Sequence, residues 1–97
     1  VEKTVNQDFY NAVRYNNQAY DYYLKGEQLD LAMEMVEKAL AIEPQNAVFL
    51  STKAELFYKK GRLNEALEII KKAIELDPKS DELQKDLVMI QKALEGK

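Results

Sequence analysis

The chain has 97 residues, 46% of them hydrophobic and 32% charged, with a net charge of -3 and a pI of about 5.0. That leaves room for one domain with one modest core, and it is too apolar for a disordered chain. With no cysteine and no histidine, disulfides, thiolate and imidazole zinc sites and the commonest general base are all excluded, as is a membrane-spanning run of about eighteen apolar residues.

Val1-Glu2-Lys3-Thr4-Val5 lacks the basic-then-apolar pattern of a signal peptide, which favours a cytoplasmic setting. Thr4-Val5-Asn6-Gln7 reads as a capping box, and Val5, Phe9 and Ala12/Val13 continue a helical stripe. This predicts a first helix from about residue 5 to residue 24, the rival reading being a frayed tail over residues 1–8. Tyr15, Ala19 and Tyr22 share its core stripe, so both tyrosines are expected to bury their rings. Tyr10 either covers the open end of the first hairpin or is an exposed contact. A turn follows around Gly26-Glu27-Gln28, then a second helical pattern from Leu29 that stops at Glu43-Pro44.

Asn46 stands where the N-cap of the next helix belongs. Leu50, Ala54 and Phe57 recur at helical spacing up to Lys60-Gly61, where a glycine can take the left-handed backbone that ends a helix. Leu63, Ala66, Leu67, Ile70, Ala73 and Ile74 make the fourth stripe, ended by Asp77-Pro78 because proline disfavours helical geometry in the residue before it. Ser80 then caps a fifth helix over Asp81–Glu95. Its Leu83, Leu87, Ile90 and Leu94 predict one face on Ile70 and Ile74 and the other in water.

These elements repeat. Ala32 and Ala66, Lys38 and Lys72, Ala39 and Ala73, and Pro44 and Pro78 are each 34 residues apart. Upstream the offset is 35, pairing Ala19 with Ala54, Tyr22 with Phe57, Tyr23 with Tyr58 and Gly26 with Gly61. One extra residue therefore lies near Glu27-Gln28, which a surface loop absorbs cheaply. The Gly61, Ala66, Ala73, Pro78 spacing, with Ala54 and Phe57 upstream, resembles a tetratricopeptide repeat. The first unit resembles it less closely, and the first helices of both units depart from it, with Tyr15 and Leu50 where the family often has tryptophan, Gln18 and Lys53 where it has leucine, and Ala19 and Ala54 where it has glycine.

The resemblance implies an all-α fold of antiparallel helical hairpins stacked as a short right-handed superhelix, with about five helices. A single domain over 1–97 would comprise an extension or tail (1–11), two repeats (12–46 and 47–80) and a capping helix (81–97). Small residues fit that packing. Ala54 and Ala66 would lie where the helices of a hairpin cross and Ala73 where the next element docks, and enlarging them would overpack by about 1–3 kcal/mol.

No catalytic residue is expected. Glu65/Glu68 and Asp81/Glu82 lie at helix starts, where carboxylates favour the helix dipole, and the three glycines are too scattered for a phosphate loop. The positive lean of residues 47–80 is interleaved with acids and reads as a solvated helix face rather than a nucleic-acid surface. Neither metal nor cofactor is expected, nor a nucleic-acid or membrane partner. By the resemblance, the first helix of each hairpin lines a concave groove for a protein or peptide partner. The groove positions would be Asn16, Tyr20, Tyr23, Ser51, Glu55 and Tyr58, joined by Lys85 and Met89 of the closing helix. Tyrosines suit recognition, with a large apolar face, a polar tip and a small entropy cost.

The chaperone-binding members of the family grip a C-terminal carboxylate with lysine, arginine and asparagine. The matching positions here are Asn16, Tyr20, Thr52, Glu82 and Asp86. Anions stand where cations are needed, so a chaperone carboxylate clamp is not expected. The alternative function is structural: a weak homodimer, or a slice of a longer array, joined through Phe9, Tyr10 and Tyr15.

Overall fold

The computed structural model describes residues 2–96, the side chains of 2–6 excepted. Among these residues there are five helices: α1 (Glu2–Lys25), α2 (Leu29–Ile42), α3 (Ala47–Lys59), α4 (Leu63–Leu76) and α5 (Asp81–Glu95). The backbone is already helical at Glu2, so α1 does not start at the capping box read at Thr4, whose side chains lie outside those described.

Local chemistry sets the other boundaries. Asn46 accepts a hydrogen bond from the Phe49 N–H at 3.1 Å, and Ser80 accepts one from the Leu83 N–H at 3.3 Å. Each satisfies one otherwise orphaned donor of its helix. Asp77 and Glu43, the residues before the two prolines, both leave helical geometry. Both hairpins turn on the same device. The Gly61 N–H reaches the Tyr58 carbonyl and the Arg62 N–H reaches the Phe57 carbonyl, as the N–H groups of Gly26 and Glu27 reach Tyr23 and Tyr22. Both glycines have positive φ, 70° and 78°, as this closure requires.

The extra residue of the first turn is not free. Gln28 takes φ 52°, a left-handed conformation, immediately before α2. The second turn has no equivalent, and a side chain with a Cβ makes such a conformation cost about 1 kcal/mol.

Helix α3 is the centre of the fold. It packs against α2 and α4 and also touches α1 and α5, whereas α2 and α4 do not approach each other among the described residues. Closer approach on the α1–α3–α5 side curves the stack and makes that side concave. Ala19, Ala32, Ala39, Ala54, Ala66 and Ala73 are fully buried, and these small side chains let the helix backbones come together. Val36, Leu56, Ile70 and Ile90 fill the space between. The closing helix buries Leu83 and Ile90 and half-buries Leu87 and Leu94 while packing on α4. Tyr15 and Tyr22 are only half-buried, packed against the core rather than within it. The Lys38 ammonium lies 5.5 Å from the Tyr15 ring centroid. At the free end of the first hairpin Phe9 and Tyr10 are 48% and 59% exposed.

Three of the seven cations of residues 47–80 are paired in place. Lys53 pairs with Glu37 of α2 at 3.2 Å, Lys60 with Asp30, and Arg62 makes two bonds of 2.6 and 2.7 Å to Glu65. The first two dock α3 and its turn onto α2, the Arg62 pair stays within the start of α4, and all three occupy cations that a polyanion would need free.

Candidate functional site

The concave side carries a cleft of about 450 Å³ lined from three helices and the turn before α5. Asn16 and Tyr20 come from α1, Val48, Ser51, Thr52 and Glu55 from α3, and Glu82 and Leu83 from α5. Their spacings explain the convergence. Residues 16 and 20, residues 48, 51, 52 and 55, and residues 82 and 86 are each three or four apart, so each set shares one helix face.

Four of the eight expected groove positions, Asn16, Tyr20, Ser51 and Glu55, line this cleft. Tyr23 stacks at its edge, its ring centroid 5.5 Å from that of Tyr20 and tilted by 33°. Tyr58 lies one turn beyond Glu55, close enough to Tyr23 to affect its ionisation. Neither Tyr23 nor Tyr58 is among the residues that line the cleft; both are half-buried against the core and support the fold. Met89, half-buried, follows Asp86 on the same face of α5. Lys85 is placed elsewhere. It is exposed and shares a shallow depression with Asp81, Gln84 and Val88 on another face of α5.

The chemistry of the cleft is set by carboxylates. Asp86 accepts a 2.8 Å hydrogen bond from the Ser51 hydroxyl, which joins α5 to α3. Glu55 lies one turn from Ser51, and the single hydroxyl proton can serve only one of the two carboxylates at a time. Burial, with the negative charges of Asp86 and Glu82 behind it, pushes the Glu55 carboxyl up from 4.5 to about 8. Burial raises Asp86 as well. Burial followed by the field of Glu55 pushes the Tyr23 hydroxyl up to about 12, and Tyr20 shifts in the same direction. All these shifts disfavour negative charge. Among the described residues no lysine or arginine forms an ion pair with Glu55, Glu82 or Asp86. Lys59 stacks 5.4 Å from the Tyr23 ring centroid.

Asn16 is the odd polar residue. It is 6% exposed, yet its Oδ1 is buried with no hydrogen-bond partner. An unmet buried acceptor costs about 1–3 kcal/mol. Asn16→Leu, close in shape, is therefore expected to raise the unfolding free energy by about 1 kcal/mol, measured by urea denaturation. A fall of that size would show that the amide serves the fold.

Sequence reasoning placed Glu82 and Asp86 at two positions where chaperone-binding relatives carry cations. It did not anticipate that they would converge on Glu55 from a different helix. The available signal was their four-residue spacing on one face of α5.

Neither a metal-binding group of three acids nor a helix long and apolar enough to cross a membrane occurs among the described residues. A search of curated proteins finds no matching relative. A family model described as tetratricopeptide repeat matches residues 23–91. The match begins near the end of α1, beyond Tyr15, Gln18 and Ala19, and includes the equivalent departures Leu50, Lys53 and Ala54 of the second unit. The hairpin closures, the alanine crossings and this match over well more than half of the chain agree: it belongs to the tetratricopeptide repeat family, whose members are generally non-catalytic protein-interaction modules.

Proposed function

We propose that the concave cleft recruits a short peptide segment of a protein partner. The observation that carries this reading is the convergence of α1, α3 and α5 on an open cleft with uncovered apolar surface from Tyr20 and Val48. Tyr20 is 39% exposed and Val48 63% exposed, and the Tyr23 ring lies 5.5 Å from that of Tyr20. Apolar surface of this kind gains free energy when a ligand covers it, and tyrosines lose little entropy in doing so. Two repeats make a short groove, so micromolar affinity is expected, about -8 kcal/mol.

Tyr20 separates binding from folding better than Tyr23 and Tyr58, because the core does not hold it. Tyr20→Ala is expected to weaken binding of a decapeptide, selected from a randomised library on the immobilised protein, at least tenfold. The thermal midpoint should stay within a few degrees of the parent. The triple Tyr20, Tyr23, Tyr58 to Ala variant should lose binding altogether, with its helicity checked by circular dichroism. Undiminished affinity in Tyr20→Ala would remove the groove assignment.

A second reading, self-association, is favoured by Phe9 and Tyr10, which leave aromatic surface in solvent at the free end of α1. Light scattering that returns a concentration-independent mass near 11.2 kDa would contradict it.

A further inference from the structure

We infer that the segment taken up by this cleft presents a basic side chain, arginine above all, to Glu55, Glu82 and Asn16. This deepens the peptide-groove reading and rests on it. Three observations converge on it. The cleft lining holds the carboxylates of Glu55, Asp77 and Glu82 and no lysine or arginine, and Asp86 stands beside them on Ser51. Asn16, more than nine-tenths buried in the same cleft, has a carbonyl oxygen that nothing in the fold satisfies. The Tyr20 and Tyr23 rings stand at the edge of the cleft.

Carboxylates and an unmet carbonyl are all acceptors, so the missing component is a donor with positive charge. A guanidinium supplies five donors in a planar fork, is only weakly hydrated and stacks on aromatic rings. An anionic segment, such as a free C-terminal carboxylate, would meet the like charge of Glu82, Asp77 and Asp86 and find no cation in the lining.

The titration of Glu55 supports the same ligand. Glu55 faces Glu82 and Asp86 from α5 and lies within the field of Tyr20 and Tyr23 from α1, with Tyr58 one turn along α3. Lys59 is engaged on the Tyr23 ring. With its carboxyl raised to about 8, much of Glu55 is protonated at neutral pH. A bound cation favours the ionised form, so binding expels a proton. Affinity should therefore rise with pH between about 6 and 8.

The test uses the intact 97-residue chain and library-selected decapeptides carrying a central arginine. Each is compared with the same sequence carrying citrulline, which keeps the shape and loses the charge, and with lysine and glutamate versions. Calorimetry in two buffers of different ionisation enthalpy reads affinity and proton release together. The expected result is at least a tenfold loss with citrulline, a larger loss with glutamate and net proton release with arginine. Glu55→Gln should cut arginine affinity several-fold and abolish the proton release. Equal affinity for arginine and citrulline peptides, with Tyr20→Ala still damaging both, would overturn the basic-ligand inference and leave the groove reading standing. If Tyr20→Ala leaves every selected peptide bound as before, the groove reading fails, and this inference with it.

Discussion

Leu56→Ala is expected to lower the free energy of unfolding by about 3–4 kcal/mol. Leu56 is fully buried on α3, the helix that touches all four others. The size of such a loss depends on how far the surroundings can collapse into the space left behind. Here the neighbouring helices are already in contact through alanines, and a fully buried alanine has no side chain to extend into a void. The cavity therefore stays open, and its volume adds to the lost transfer energy. A domain of this length has a total stability on the order of 5–15 kcal/mol, so the variant gives up a large share of it. Urea denaturation should show a lower midpoint with an unchanged slope, meaning less stability for the same exposed surface. Ile69→Ala, at a half-buried position on α4, should cost markedly less. A loss under about 1 kcal/mol at Leu56 would show that the hairpins are not stacked around α3.

The second large effect is a decline of stability with rising pH, carried by Glu55. Its carboxyl is raised from 4.5 to about 8 by burial and by the charges of Asp86 and Glu82. Between those two values the folded chain holds a proton that the unfolded chain has released. The stabilisation is complete below about 4.5 and is lost as pH climbs through about 8. Because Glu55 borders an open cleft, solvent screening reduces the effect, which amounts to about 2 kcal/mol. Asp86 is raised too and adds in the same direction. For a domain of this size the thermal midpoint should fall by roughly 10 °C between pH 5 and pH 9. Glu55→Gln keeps the shape without the charge and should flatten most of that slope, ending above the parent protein at pH 9. A midpoint that rises over this range, or a slope that survives the substitution, would contradict the assignment.

What could be read from the sequence is local backbone chemistry. Asn46 and Ser80 cap, Gly61 turns left-handed, and Asp77-Pro78 stops a helix through interactions spanning at most a few residues. The alanines could be read because their period of 34 leaves them at equivalent crossings. What could not be read depends on how far each helix is rotated against its neighbours. Lys85 and Asp86 are adjacent in sequence, yet one borders an outer depression and the other bonds Ser51 across the α3–α5 contact. Glu55 and Glu82 lie 27 residues apart and come together only when α5 docks. The unpartnered Oδ1 of Asn16 likewise appears only once every neighbour is in place. The extra residue of the first turn was visible as a change of offset, but its effect on Gln28 was not, because a left-handed glutamine has no local signature.

Backbone amide shifts, followed while a library-selected arginine decapeptide is titrated into isotope-labelled protein, bear most directly on whether the concave face is the working surface. Perturbations should cluster on Asn16, Tyr20, Ser51, Glu55 and Glu82, leaving Glu34 and Lys38 of α2 and Glu68 and Lys72 of α4 unmoved. Shifts concentrated on α2 and α4 instead would place recognition on the outer helices and contradict the account.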